Sequence, residues 1–184
     1  MNSKALLKYV EEDILNITID QIRLEDIPAI ARIKVDGWKS AYRGIIDDDF
    51  LDSLTYNVQI KRFTDGEDSV QGIVAIDEES KQIVGFSTFG KRQDLSEGLP
   101  QYDCELHAMY VSPDRKGKGI GKRLLSEVLK QQRENDHKKM LLWCFKKNLP
   151  TIEFYKKTGG VLLGEKEIEI EKMRLIEAGF GYEL

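Results

Sequence analysis

The sequence predicts an α/β fold: a single α+β domain whose mixed sheet is packed against helices. Three observations point there. Short apolar runs of strand length alternate with longer stretches of helical periodicity. Two of those runs flank the polar turn "DEESK" at 77–81, which reads as a hairpin. A third run passes directly into "VSPDRKGKGIGKRLL" (111–125), where three glycines precede an amphipathic helical pattern.

Residues 1–17 read as an N-terminal extension and 18–184 as one domain. "ITIDQIRLED" (17–26) is expected to be a strand entering a turn. In "LEDIPAIARIKVDGWKSAY", Ile27, Ile30, Ile33, Val35, Trp38 and Tyr42 recur at roughly helical spacing, which predicts an amphipathic helix. "DDDFLDSLTYNVQIKRF" reads as a second, shorter helical region, and "SVQGIVAIDEESKQIVGFSTFGKR" as the hairpin. "QDLSEGLPQYD" is a loop beside the expected acceptor side. "CELHAMYVSP" is a strand that Pro113 stops. Alternation along it sets Glu105, His107 and Met109 on one face and Cys104, Leu106 and Ala108 on the other. "GIGKRLLSEVLKQQRENDHKK" is a helix with Ile120, Leu124, Leu125, Val128 and Leu129 on one side. "KMLLWCF" is a buried strand, and "NLPTIEFYKKTGG" a helix with Asn148 as N-cap and Gly159–Gly160 as its stop. The last 24 residues, from Val161, read as two closing strands.

A chain of 184 residues, 41% hydrophobic and 33% charged, suits one core of ordinary composition. No apolar run reaches the length of a membrane span, and the acidic, broken start is no signal peptide; a cytoplasmic protein without a membrane partner is expected. Cys104 and Cys144 lie in apolar runs, read as buried free thiols in a reducing compartment, and have no histidine cluster beside them; no metal is expected. A net charge of -4 argues against a nucleic-acid partner. A monomer or a homodimer is expected.

Glycine admits positive φ and lets a ligand approach the backbone, and a helix start offers unpaired N–H groups at the positive end of a dipole. Together they make an anion cradle, here with Lys116, Lys118, Lys122 and Arg123 around it. The other reading is a turn that needs its glycines before a core helix. Two phosphate motifs fail. A P-loop would place its first glycine at Lys116 and Ser or Thr at Arg123. A dinucleotide fingerprint would place its third glycine at Lys122 or at Leu124.

The run Lys116-Gly117-Lys118-Gly119-Ile120-Gly121 resembles the acetyl-CoA loop of the GNAT superfamily of N-acetyltransferases, written Gln/Arg-x-x-Gly-x-Gly/Ala, with Lys116 where that family usually carries Gln or Arg. "CELHAMYVSPDRKGKGIGKRLL" resembles its fourth strand, loop and following helix; "NLPTIEFYKKTGG" resembles its later Asn…Phe-Tyr helix; "GWKSAYRGIIDDDFL" resembles the first-helix region of a bacterial branch. The resemblance implies a central, mostly antiparallel sheet splayed between the fourth and fifth strands and flanked by about four helices. It implies acetyl-CoA as cosubstrate, gripped by backbone from Lys116 through Gly117, Lys118, Gly119, Ile120 and Gly121 to Lys122, and contacted by Asn148. It further implies that Met109, Tyr110 and Val111 offer a strand edge to the pantetheine arm, Met109 and Val111 through backbone atoms.

Acetyl transfer to an amine needs a way to shed a proton. An amine of pKa ~10.4 is neutral only about once in 2,500 at pH 7, a cost of roughly 4.6 kcal/mol. Glu105, eleven residues before Lys116, matches the family's usual base position, acting directly or through water. A structural ion pair is the alternative for Glu105. His107 competes for the base role by its ordinary pKa. Tyr155 matches the family tyrosine that approaches the coenzyme sulfur and can give a proton to the leaving thiolate. Phe154, its neighbour, is expected to be the better core filler. Trp38, Tyr42 and His107 are the candidate acceptor residues. Asp47, Asp48 and Asp49 read either as an attraction for a cationic amine or as a helix cap. The expected partner is a small-molecule amine; a protein amine, and an acyl-CoA-binding module without catalysis, are the alternatives. A deep pocket lined by Trp38 and Tyr42 would favour the first, a shallow groove the second.

Overall fold

The computed structural model describes residues 16–68, 70–92 and 99–184. Residues 1–15 of the expected extension, and 93–98 of the expected acceptor-side loop, lie outside the described residues. Seven strands form one sheet: β1 (Ile17–Gln21), β2 (Gly72–Asp77), β3 (Ile83–Lys91), β4 (Cys104–Val111), β5 (Lys139–Phe145), β6 (Val161–Ile170) and β7 (Met173–Glu183), in the order β1-β2-β3-β4-β5-β7-β6. Neighbours are antiparallel except β4 and β5, which run parallel. Five helices are described: α1 (Ile27–Ala41), α2 (Asp48–Ser53), α3 (Tyr56–Thr64), α4 (Ile120–Glu134) and α5 (Leu149–Lys157). This is the predicted mixed α/β architecture.

Each face of the sheet carries its own core. Helix α4 sets Ile120, Leu124, Leu125 and Val128 against Ile73, Leu106, Met140 and Leu142. Burying each such side chain stabilises the fold by about 1.5–3 kcal/mol. On the opposite face, Ile27, Ile30 and Ile33 of α1 and Phe63 of α3 cover Val74 and Phe86.

The expected second helical region is two helices. Leu54 is extended, and the Thr55 hydroxyl accepts from Val58 N (3.4 Å), so a new N-cap restarts the chain as α3. Helix α4 ends at Glu134, earlier than expected, because Asp136 turns to φ 64.

The alternation expected along β4 does not hold. Thr88 pairs with Ala108 but Phe89 pairs with Leu106, so His107 is an extra residue in a β-bulge. One inserted residue flips every side chain beyond it. Cys104, Leu106, Met109 and Val111 therefore share the α4 core, whereas Ala108 and Tyr110 pack with α1. Met109 thus lies opposite the face predicted for it.

Pairing between β4 and β5 has three rungs: Cys104–Met140, Glu105–Leu141 and Leu106–Leu142. Beyond them β4 runs on to Val111 and β5 to Phe145 without pairing to each other. The bulge sits where the pairing stops and bends β4 away. The sheet is splayed at the expected place.

Candidate active site

A cleft of about 700 Å³ opens at the fork between β4 and β5. Met109, Tyr110 and Val111 pair with β3 through Ser87, Phe86 and Gly85, and no strand covers their other edge. That edge forms a lip of the cleft.

Lys116 and Gly121 of the glycine-rich turn line one end; Gly117, Lys118, Gly119 and Lys122 are not among its walls, and Ile120 is buried in the core under α4. Gly117 and Gly119 have φ 79 and 80, the left-handed region that glycine tolerates. Nothing comes within 4 Å of a Cβ built on Gly117, so that position is open, whereas a Cβ on Gly121 would meet Phe154 at 3.7 Å. Gly119 is the N-cap of α4 and makes no side-chain cap, which leaves the first N–H groups of the helix without that partner. Lys116 lines the cleft with its Nζ 3.4 Å from Ser40 Oγ. Arg115 pairs with Asp77 at 2.8 Å and anchors the turn to β2. The open cradle and bare strand edge fit a coenzyme with a phosphate head and a peptide-like arm.

Helix α5 forms the facing wall. Asn148 caps it, accepting from Thr151 N at 3.4 Å, and lines the cleft. Tyr155 also lines it, only 6% exposed, between Phe154 (5.2 Å) and Phe180 (5.7 Å). Tyr155, rather than Phe154, is the buried member of the pair, contrary to expectation, because α5 turns it toward Phe180 and the cleft. Burial, then nearby Cys144 and Tyr182, push its phenol well above the usual tyrosine range, so the proton stays on.

Glu105 is 8% exposed and belongs to the paired part of β4, between Gly90 of β3 and Leu141 of β5. It is not a wall of the cleft, which begins at Leu106 and His107. His107 does line it. Its Nε2 lies 2.9 Å from the Lys91 carbonyl, and its Nδ1 is buried without a hydrogen-bond partner.

The part of the cleft lined by α1 is aromatic. Trp38 and Tyr42 stand 5.1 Å apart, with Phe145 4.8 Å from Tyr42, all edge to face. Trp38 Nε1 donates to Tyr110 Oη at 2.8 Å. Burial pushes the Tyr110 phenol up to about 12. Burial also lowers Lys34 below the usual lysine value, although Asp68 pairs with it at 2.7 Å.

The three aspartates face elsewhere. Asp47 caps α2, accepting from Phe50 N at 3.0 Å, and Asp48 pairs with Arg43 at 3.4 Å. None of Asp47, Asp48 and Asp49 lines the cleft, so the capping reading holds for Asp47.

Sequence reasoning missed Trp143, Phe145, Glu177 and Lys34, all of which line the cleft. A tryptophan in the otherwise aliphatic run "KMLLWCF" was the available signal for Trp143. Glu177 shares a face with Leu175 and Gly179 of β7, but only the register of β7 on β5, Phe145 opposite Glu177, brings it to the fork.

Cys104 and Cys144 are buried free thiols, each pushed up to about 12, chiefly by burial. Asp103, Cys104 and His137 come together, yet both Asp103 oxygens already accept from the Lys138 and Lys139 N–H groups. Among the described residues, no helix is long and apolar enough to cross a membrane.

Comparison with known proteins agrees with this geometry. YncA of Salmonella typhimurium with its cofactor acetyl-CoA superposes with a TM-score of 0.65 at 17% identity, over 91% of this chain and 94% of that one. The PaiA N-acetyltransferase of Thermoplasma acidophilum in complex with coenzyme A gives 0.62 at 21% identity, over 88% and 97%. These show the fold. The uncharacterized N-acetyltransferase YuaI of Bacillus subtilis is 33% identical over 168 residues, 90% of this chain and 92% of its own length. Residues 37–160 match the acetyltransferase (GNAT) family, and with YuaI alongside, the chain belongs to that family of N-acetyltransferases.

Proposed function

We propose that this enzyme moves the acetyl group of acetyl-CoA to the primary amine of a small molecule. The observation that carries the reading is the fork cleft, which brings the glycine turn, the free edge of β4, Tyr155 and the Trp38–Tyr42 wall around one space. A concave site of about 700 Å³ suits a small acceptor, and the aromatic wall suits one with an apolar body.

Backbone N–H groups from Lys116 to Lys122 hold the diphosphate; Asn148 and the edge from Met109 to Val111 hold the arm. Acetyl-CoA supplies an acyl group already activated as a thioester. Free N–H groups on the β4 edge are oriented to polarise an acyl oxygen there. Tyr155 starts protonated, hydrogen-bonds the departing sulfur and passes its proton to the thiolate, and the phenol is then restored by a proton from solvent. Glu105 is the final proton acceptor. Since it stands behind the cleft wall, the proton reaches it through an intervening group, and water beside His107 is the shortest route. Two buried free thiols support work in a reducing compartment such as the cytoplasm.

The experiment is a panel of primary amines with acetyl-CoA, reading free thiol release. Turnover with one or more small amines is the expected result. Tight acetyl-CoA binding without product from any amine would leave a binding module and reject the enzyme reading.

A further inference from the structure

Past its last rung, Leu106–Leu142, the fork has two lips. The first residue on the β4 lip is His107 and the first on the β5 lip is Trp143. Both lie on the side of the sheet opposite Leu106 and Leu142, and both line the cleft.

Each carries a buried polar atom with no partner. A carbonyl oxygen can only accept, so the contact of His107 Nε2 with the Lys91 carbonyl puts a proton on Nε2; in the neutral ring Nδ1 is then a lone-pair acceptor. The indole Nε1 of Trp143 can only donate. Among the described residues, four buried side-chain polar atoms lack a hydrogen-bond partner, and these are two of them. Trp143 is also held in place. A Cβ on Gly179 would stand 2.7 Å from its ring, so β7 floors it closely, and Lys166 Nζ lies 4.1 Å from the ring centroid. The indole is pinned against β7, which fixes where its N–H stands.

A buried donor and a buried acceptor, on lips that diverge from a strand spacing of about 4.8 Å, ask for one small group offering both. We propose that the fork recognises the acceptor's head: a primary amine with a hydrogen-bond-accepting oxygen on the carbon next to the amine-bearing carbon. The amine N–H donates to His107 Nδ1, and the oxygen accepts from Trp143 Nε1. α-Amino acids, their amides and 2-amino alcohols share this arrangement. The aromatic wall of Trp38, Tyr42 and Phe145 suits an apolar substituent on the same carbon. Glu177 at the cleft wall is paired with Lys166 at 3.6 Å, so local charge does not choose between a carboxylate and a neutral oxygen. An alkylamine lacking the oxygen leaves the Trp143 donor buried and unpaired, and a hydrogen-bonding site discriminates strongly against such an analogue.

This inference rests on the reading of the cleft as an amine site, and its test separates the two. The chain has two tryptophans, so the full-length ¹⁵N-labelled protein gives two indole N–H signals, and Trp143→Phe identifies one. With coenzyme A present, leucine, leucinamide or leucinol should shift the Trp143 signal saturably, and 3-methylbutylamine should not. An equal response to all four would mean the oxygen is not read, and no response would mean the fork takes no acceptor; either way the inference falls. In thiol-release kinetics, Trp143→Phe should lower kcat/KM about tenfold or more for the best oxygen-bearing amine and lower it by a clearly smaller factor for 3-methylbutylamine. Comparing the two proteins on each amine cancels the amines' different basicities. Equal loss on both amines overturns the proposal. Thiol release without any Trp143 effect sinks this inference alone; a Trp143 shift without thiol release from any amine sinks acetyl transfer and leaves the fork intact.

Discussion

The two ends of the cleft are made of different material. The end at α4 is backbone: positive-φ glycines at 117 and 119, an uncapped helix start and a strand edge from Met109 to Val111 with no partner. The other end is side chains: Trp38 and Tyr42 from α1 and the turn after it, Trp143 and Phe145 from β5, Glu177 from β7. Main-chain atoms are the same in every protein, so a backbone site can bind a coenzyme common to many enzymes while tolerating wide change in side chains. A site of side chains is free to differ in each chain, and on the proposed reading that end selects the acceptor.

Breaking the backbone end should have the largest effect. Gly119→Asp forces a side chain into φ +80 and sets a negative charge at the helix start. Coenzyme affinity should fall about a hundredfold or more by calorimetry, both penalties acting together. Unchanged affinity would refute the cradle. Tyr155→Phe removes one hydroxyl and keeps the ring between Phe154 and Phe180. Turnover should drop about 10²-fold, within the usual range for general acids, with coenzyme affinity spared; equal turnover would return Tyr155 to a packing role. Glu105→Gln should lower the rate about tenfold or more near pH 7 and recover toward the parent as pH approaches the amine pKa. A constant ratio across pH would remove Glu105 as proton acceptor. The smallest effect belongs to the aromatic wall. Tyr42→Phe should change acceptor KM by only a few-fold, as expected for one hydrogen bond, and leave coenzyme affinity alone; a coenzyme effect as large as that of Gly119→Asp would erase the distinction between the two ends.

Legibility in the sequence follows the same division. The glycine turn, Asn148 as cap and the Gly159 stop are local signals, set by φ and by orphan N–H groups within a few residues, and they stand where expected. Tyr155 was found by resemblance, since a buried tyrosine and a packing tyrosine look alike in one helix. The bulge at His107 was not visible. An inserted residue shows only against the partner strand, where Thr88 and Phe89 take Ala108 and Leu106. Missing it put Met109 on the wrong face and set Glu105 ahead of His107 as the base, whereas of the two only His107 reaches the cleft wall. Glu177 and Trp143 were missed for a related reason. Their meeting depends on the register of the last strand on β5, a long-range pairing that neither segment encodes alone.

The three-rung junction of β4 with β5 has a mechanical side. It is a short seam stitching the β1–β4 part of the sheet to the β5–β7 part, with a notch above it. Any molecule that lies in the notch and touches both margins extends the stitching. Amides of Leu141 and Leu142 should therefore exchange with solvent more slowly once the coenzyme is bound, and catalysis would begin with the enzyme being sewn more tightly together.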